Sequence, residues 1–285
     1  MTTTTGTAGT DRPAGHRKQH APSLVRTATG RTVSRLQGGY RKDSPAAVAA
    51  VARLRREVGR DAHASPTNWG LDHLEALTEL RERRNAEDED PTRHLVAGGQ
   101  RQQEAREDRE DRAVHLAVTL WALHQQSLRD EPMHVPGWSL GRSVRRLAEE
   151  KSSGPGLPTQ RTGDEEAQES TGYTPVEDVS AAIRKRFVRI GTSSDLETLG
   201  RRLREMVLLL RDARIPLDYS DLADQIYRWQ YETGRVEVRR RWGRDFHRVH
   251  RSGRWEEGGT GAGDDTGSPA GSPTGSDASA AVDAD

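Results

Sequence analysis

The chain reads as all-α: two small helical bundles joined by a polar linker, with disordered termini. Three observations carry that reading. Apolar residues recur three and four positions apart through the interior, the spacing of one helix face. No stretch alternates convincingly as a strand would, and the short β-like runs fall inside helical periodicity. Ser and Pro stand where periodic segments begin, and Gly stands where two of them end. Of 285 residues, 32% are hydrophobic and 5% aromatic. That supports a core of roughly 170–190 residues with disordered additions, counted from the periodic segments.

Taken in order, residues 1–43 are rich in Thr, Gly, Arg and Pro without a clear period, and are expected to be a disordered arm. An N-terminal bundle is expected over 44–150. Ser44 and Pro45 open AAVAAVARLRREVG, which stops at Gly59. A second helix is expected from about Gly70 to Arg84, followed by a charged insert over about 85–110, a loop running into a helix. AVHLAVTLWALHQQSL is apolar on most sides and is the candidate buried helix; GWSLGRSVRRLAEE is a shorter one. A polar linker then covers 151–173.

The C-terminal, Arg-rich bundle is expected over 174–253. VEDVSAAIRKRFVRIG is its first helix. In SSDLETLGRRLREMVLLLR, Ser194 and Glu197 have capping-box spacing. Leu196, Leu199, Leu203, Met206, Val207 and Leu210 then fall within about 100° on a helical wheel. DYSDLADQIYRWQYETG places Tyr219, Leu222, Ile226 and Trp229 inward, with Gly234 as stop; RVEVRRRWGRDFHRVHR is the last helix. Residues 254–285, rich in Gly, Ser, Asp and Pro, form a disordered acidic tail. Its GGTGAG imitates a dinucleotide loop but lacks the flanking strand and helix.

The formal net charge of zero conceals segregation. Four basic residues are lysines and 40 are arginines, and residues 256–285 hold seven acids and no base. Residues 181–254 hold 18 basic and 10 acidic residues. A general bias towards arginine explains the residue type but not its concentration. One reading is a solvated face of surface ion pairs, each contributing about 0–1 kcal/mol. The other is a phosphate track, because guanidinium offers a planar fork of donors. Arg204 and Arg211 flank one side of the apolar stripe, Arg202 the other, and Arg184, Arg186 and Arg189 do the same on the preceding helix. Few aromatics stand outside the apolar pattern, so binding would follow the nucleic-acid backbone without sequence preference.

Other chemistry finds no support. The chain lacks cysteine, which excludes disulfides and thiolate zinc sites. No apolar run nears the roughly 20 residues that span a bilayer, and no secretion signal opens the chain; a cytoplasmic protein without membrane contact is expected. His247 and His250 could share a metal, but no third ligand is near them in sequence. His115 and His124 are expected in packing or capping roles, and Trp229 and Trp242 in the core. The acids from Glu87 to Asp90 lack calcium-loop order, Ser139 is in no nucleophile elbow, and no Walker loop is present. No metal, cofactor or catalytic constellation is expected.

WSLGRSVRRLA, IRKRFVRIGTSSDLETLGRRLREMVLLLR and IPLDYSDLADQIYRW, in this order and spacing, resemble the CasB family. That family is the small subunit of the type I-E CRISPR Cascade complex. The likeness runs from about Ser44 to Arg251 and is strongest from Trp138 to Trp229. The resemblance implies an all-α, non-catalytic protein, paired with a second copy of itself against the Cascade backbone and large subunits. It implies contacts to guide RNA, target DNA strand and displaced non-target DNA strand that stabilise the R-loop in antiviral defence. By resemblance, nucleic-acid contacts fall on Arg142 of SLGR, Arg184 and Arg186 of RKRF, Arg202 and Arg204 of RRLR, and Arg55 and Arg56 of LRR. The N-terminal arm, charged inserts and acidic tail depart from the family and inherit no role. The alternative is a stand-alone Arg-rich helical DNA-binding regulator using RVEVRRRWGRDFHRVHR as a groove helix.

Overall fold

The computed structural model describes residues 23–63, 73–87, 97–152 and 176–248. Among these, nine helices form and no strand does; one isolated parallel bridge joins His134 to Leu217. The all-α expectation holds.

Helix α1 (Leu24–Arg41) is a correction, because it lies inside the arm expected to be disordered. Ser23 caps it, accepting from the Arg26 N–H at 3.3 Å. Its buried positions Val25, Ala28, Thr29, Thr32, Val33, Leu36 and Tyr40 keep helical spacing. Small and hydroxylated residues fill much of that stripe, so its hydropathy signal is weak although its packing is close. Residues 1–22 lie outside the described residues.

Helix α2 (Pro45–Arg56) begins at Pro45 as expected, with Ser44 at the N-cap but without a side-chain bond. It ends before Gly59, whose φ of +85° lies in the left-handed region. Helix α3 (Glu75–Glu87) starts later than Gly70; residues 64–72 lie outside the described residues. Helix α4 (Ala97–Gln125) is the helix into which the charged insert was expected to run: residues 97–110 of the insert are helical, and 88–96 lie outside the described residues. Glu110 is buried in that half and accepts from Arg81 at 2.9 Å and Arg106 at 3.1 Å. This pairing lets a charged sequence face the protein. The expected central helix is confirmed, with Val114, Val118, Leu120 and Trp121 fully enclosed.

Helices α5 (Leu140–Ser152), α6 (Val176–Gly191), α7 (Leu196–Asp212), α8 (Tyr219–Trp229) and α9 (Glu232–His247) complete the order. The cap of α7 is Asp195 rather than Ser194: Asp195 accepts from the Thr198 N–H at 2.7 Å, and Ser194 donates to Asp195. These bonds from Ser194 and Thr198 lower the Asp195 carboxyl to about 2. Gly234 is not a stop. It lies within α9, where its missing side chain admits the Arg228 carbonyl.

The two expected bundles share one core. α1 and α4 both pack against α8, and a continuous apolar cluster runs from Val25 through Trp121 to Trp242. The linker separates the halves in sequence only, because the apolar faces of α1 and α4 are buried on α8. Residues 153–175, which hold nearly all of that linker, and 249–285, which hold the tail, lie outside the described residues.

Candidate nucleic-acid interface

The motifs that carry the resemblance are first of all structural. In LDY, Leu217 donates its N–H to the Met133 carbonyl at 3.0 Å and accepts from the Val135 N–H. Asp218 caps α8, accepting from the Asp221 N–H at 3.0 Å, the Ser220 hydroxyl at 2.6 Å and the Gly137 N–H at 2.9 Å. Burial alone would raise its carboxyl, but these donors bring it below the usual range. Tyr219 is enclosed, with its hydroxyl 2.8 Å from His124 Nδ1 and its N–H donated to His134 Nδ1 at 3.1 Å. Burial lowers His124 to about 3 and also lowers His134 and His115, so all three are neutral and serve packing, as expected for His115 and His124.

Asp221 ties three helices together. It accepts from Arg26 of α1 at 2.7 Å and from Arg241 of α9 at 2.9 Å. Burial raises its carboxyl although both guanidiniums oppose that. In SLGR, Gly141 lies where α5 crosses α9. A Cβ there would stand 2.5 Å from the Trp242 carbonyl oxygen and 2.6 Å from the Phe246 nitrogen. Trp229 and Trp242 are buried, and Trp242 donates Nε1–H to Gln225 at 2.5 Å.

The seven arginines assigned from sequence meet different fates. Arg184 and Arg186 on α6 and Arg204 on α7 are exposed, and no carboxylate among the described residues pairs with them. Arg55 and Arg56 are also exposed and unpaired among the described residues, but they lie on α2, which packs on α1 and α4. The structure therefore does not gather all seven. Arg142 lies over the Trp138 ring at 4.0 Å, half-buried, and burial lowers its guanidinium. Arg202, partly exposed, donates to the Arg189 carbonyl and to Ser193 Oγ, tying the C-terminus of α6 to α7.

Many other arginines are occupied. Arg81 and Arg84 pair with Glu110, Arg145 with Glu149, Arg146 with Glu150, Arg214 with Asp130, and Arg228 with Asp224. Exposed arginines without a described carboxylate stand on α1 and α2 (Arg31, Arg35, Arg53) as well as on α6, α7 and α9, where Arg239, Arg240 and Arg244 were not assigned from sequence. The run RVEVRRRWGR was their signal, since buried Val238 and Trp242 fix the face that turns inward. Arg184 and Arg239 flank one groove between α6 and α9. Arginines without carboxylate partners hold donors available to phosphate.

Among the described residues no group of three acidic or histidine side chains could hold a metal ion, and His250 lies outside them. No described helix is long and apolar enough to cross a membrane.

The described residues form an α-helical body that exposes arginines without described carboxylates on several helices, α6, α7 and α9 among them. The sequence model of CRISPR-associated protein Cse2 matches residues 50–247, and the chain belongs to that family. Cse2 is a non-catalytic structural subunit of Cascade. Among solved structures, CasB from Thermobifida fusca is 35% identical, with a TM-score of 0.56 over 80% of this chain and 100% of that one. A CRISPR RNA-guided surveillance complex chain is 22% identical, with a TM-score of 0.46 over 78% of this chain and 93% of that one. M. ruber CasB is 20% identical, with a TM-score of 0.45 over 78% and 91%. No curated protein matches the chain.

Proposed function

We propose that this chain is the small subunit of a type I-E Cascade complex, holding nucleic-acid backbone through arginines without reading sequence. Its partners in this reading are the Cascade backbone and large subunits, a second copy of itself, guide RNA, and the target and non-target DNA strands. Base pairing supplies sequence, and protein holds the strands in the open R-loop; the same division is known for another RNA-guided effector. The observation that carries the reading is the separation of arginines into two sets. Those between helices are paired with buried or neighbouring acids, while Arg184, Arg186, Arg204, Arg239, Arg240 and Arg244 are exposed without carboxylates among the described residues. Arg142 contributes from its Trp138 platform, and Arg55 and Arg56 form a second, separate contact. Arg202 is a positioning residue here, holding α6 to α7 beside Arg204.

The test is reconstitution of the complex with an R184E/R204E chain. Assembly should persist while R-loop lifetime shortens, and the dependence of binding on salt should flatten by about one unit of slope per lost phosphate contact. An unchanged R-loop lifetime and salt slope refutes the reading. A duplex site bound in isolation with a specificity ratio above about 10³ would instead assign an independent regulator.

A further inference from the structure

The groove between α6 and α9 encloses ≈ 360 Å³, the scale of a small-molecule site. Phe187, Val188, Trp242 and Phe246 line it together with Arg184 and Arg239. Phe187 and Phe246, both half-buried, stack with centroids 5.3 Å apart and 29° between the rings. Val188 beside them is 62% exposed, so the groove presents apolar surface to solvent.

Its charge is of one sign. Arg184 and Arg239 are exposed, and no carboxylate among the described residues pairs with either. Asp245, next to Phe246 in sequence, is taken up by Arg241 at 3.9 Å. An apolar protein partner would leave both guanidiniums uncompensated at the contact. An unpaired nucleobase answers both features. Its ring faces stack on aromatic side chains, and the phosphates on either side meet the planar fork of arginine. A base inside a duplex is covered on both faces by its neighbours and cannot enter.

We propose that the α6–α9 groove seats an unpaired base of the displaced DNA strand, with Arg184 and Arg239 holding the flanking phosphates. In an R-loop the guide and target bases pair with each other, so the displaced strand is the one that offers bare bases. The proposal rests on the function proposed above and extends it: the protein grips this strand by base as well as by backbone, and therefore prefers single strand to duplex. Sequence preference stays slight, because every base has a stacking face.

The test titrates the full chain, at low salt, with a single-stranded DNA carrying 2-aminopurine, whose fluorescence falls on stacking. The same strand with abasic sites in place of its bases is the comparison. Gly243→Leu closes the groove and keeps both arginines; a Cβ there meets nothing within 4 Å, so α9 carries the side chain without a clash. The unsubstituted chain should quench the probe and bind the intact strand about tenfold more tightly than the abasic one. Gly243→Leu should remove the quenching and that advantage while leaving the salt dependence unchanged. Gly191→Leu, whose Cβ is equally unobstructed, repeats the closure from α6. An advantage that survives both closures overturns the proposal. So does quenching confined to an RNA strand of the same sequence, or a chain that binds neither DNA strand. The R-loop lifetime and salt slope of the R184E/R204E complex report charge rather than stacking, so failure of the backbone reading is distinct from failure here.

Discussion

Replacing Gly141 by alanine should destabilise the protein, whereas the same replacement at Gly243 should stabilise it. Both are glycines inside helices, so both replacements gain helix propensity, up to about 1 kcal/mol. They differ in what the new methyl meets. At Gly141 it would stand 2.5 Å from the Trp242 carbonyl oxygen, 2.6 Å from the Phe246 nitrogen and 2.9 Å from Asp245 Cβ. Two of those atoms are backbone, so no side chain can swing aside. Relief requires α5 and α9 to separate, loosening buried Leu140, Val144 and Trp242. Overpacking of this kind costs about 1–3 kcal/mol, leaving a net loss of up to about 2.5 kcal/mol once the propensity gain is subtracted. At Gly243 nothing lies within 4 Å, so the propensity gain of about 0.5–1 kcal/mol is uncancelled. Urea unfolding should move the midpoints in opposite directions at constant m. Thermal unfolding should lower Tm by up to about 10 °C for Gly141→Ala and raise it by a few degrees for Gly243→Ala, at about 2–4 °C per kcal/mol. A Gly141→Ala chain as stable as Gly243→Ala would refute the close crossing of α5 on α9.

Three further outcomes are expected. Arg202→Ala should lower stability by about 1 kcal/mol through lost bonds to Arg189 and Ser193, while Arg204→Ala should leave stability within about 0.5 kcal/mol and weaken nucleic-acid binding; parallel unfolding and salt titrations separate them. His124 is lowered to about 3 from 6.5 by burial, so the unfolded chain binds its proton first. Stability should therefore fall as pH drops through that window, by up to about 1.4 kcal/mol per pH unit for each such histidine, and unfolding of His124→Gln should show a shallower slope. Asp195 is lowered to about 2 from 3.8, so its stabilising cap is present above the unfolded value and lost as pH falls through that interval; carbon-13 titration should place its midpoint near 2, and Asp195→Ala should flatten the acid limb there.

Helix α2 and the helices from α4 to α9 were legible because strong apolar residues recur at helical spacing in each. Leu199, Leu203, Met206, Val207 and Leu210 were placed inward from spacing alone, and all are buried. The SLGR and LDY motifs were legible as signatures of family but not as mechanics. Nothing local says that Gly141 admits a neighbouring backbone, or that Asp218 gathers donors from Gly137 and Ser220. The exposure of the assigned arginines was legible only in part. Arg184, Arg186, Arg204, Arg55 and Arg56 emerged exposed as expected, but Arg202 is consumed by the Arg189 carbonyl, because a guanidinium bonds whatever acceptor the neighbouring helix brings near.

Sequence by itself determined the all-α class, the excess of arginine in residues 181–254 and the family. These depend on periodicity, composition and motif order, all local properties of the chain. Tertiary structure alone decided that α1 exists as an ordered element, that both halves share one core, and which arginines lack acids. Helix α1 has a faint apolar stripe, yet it is held by burial on α8 and by Arg26 reaching Asp221, 195 residues away in sequence. Pairing of charge is a matter of distance in space. Asp221 joins α1 and α9 in one salt-bridged cluster, whereas Arg184 and Arg239, brought to one groove by packing, meet no carboxylate among the described residues.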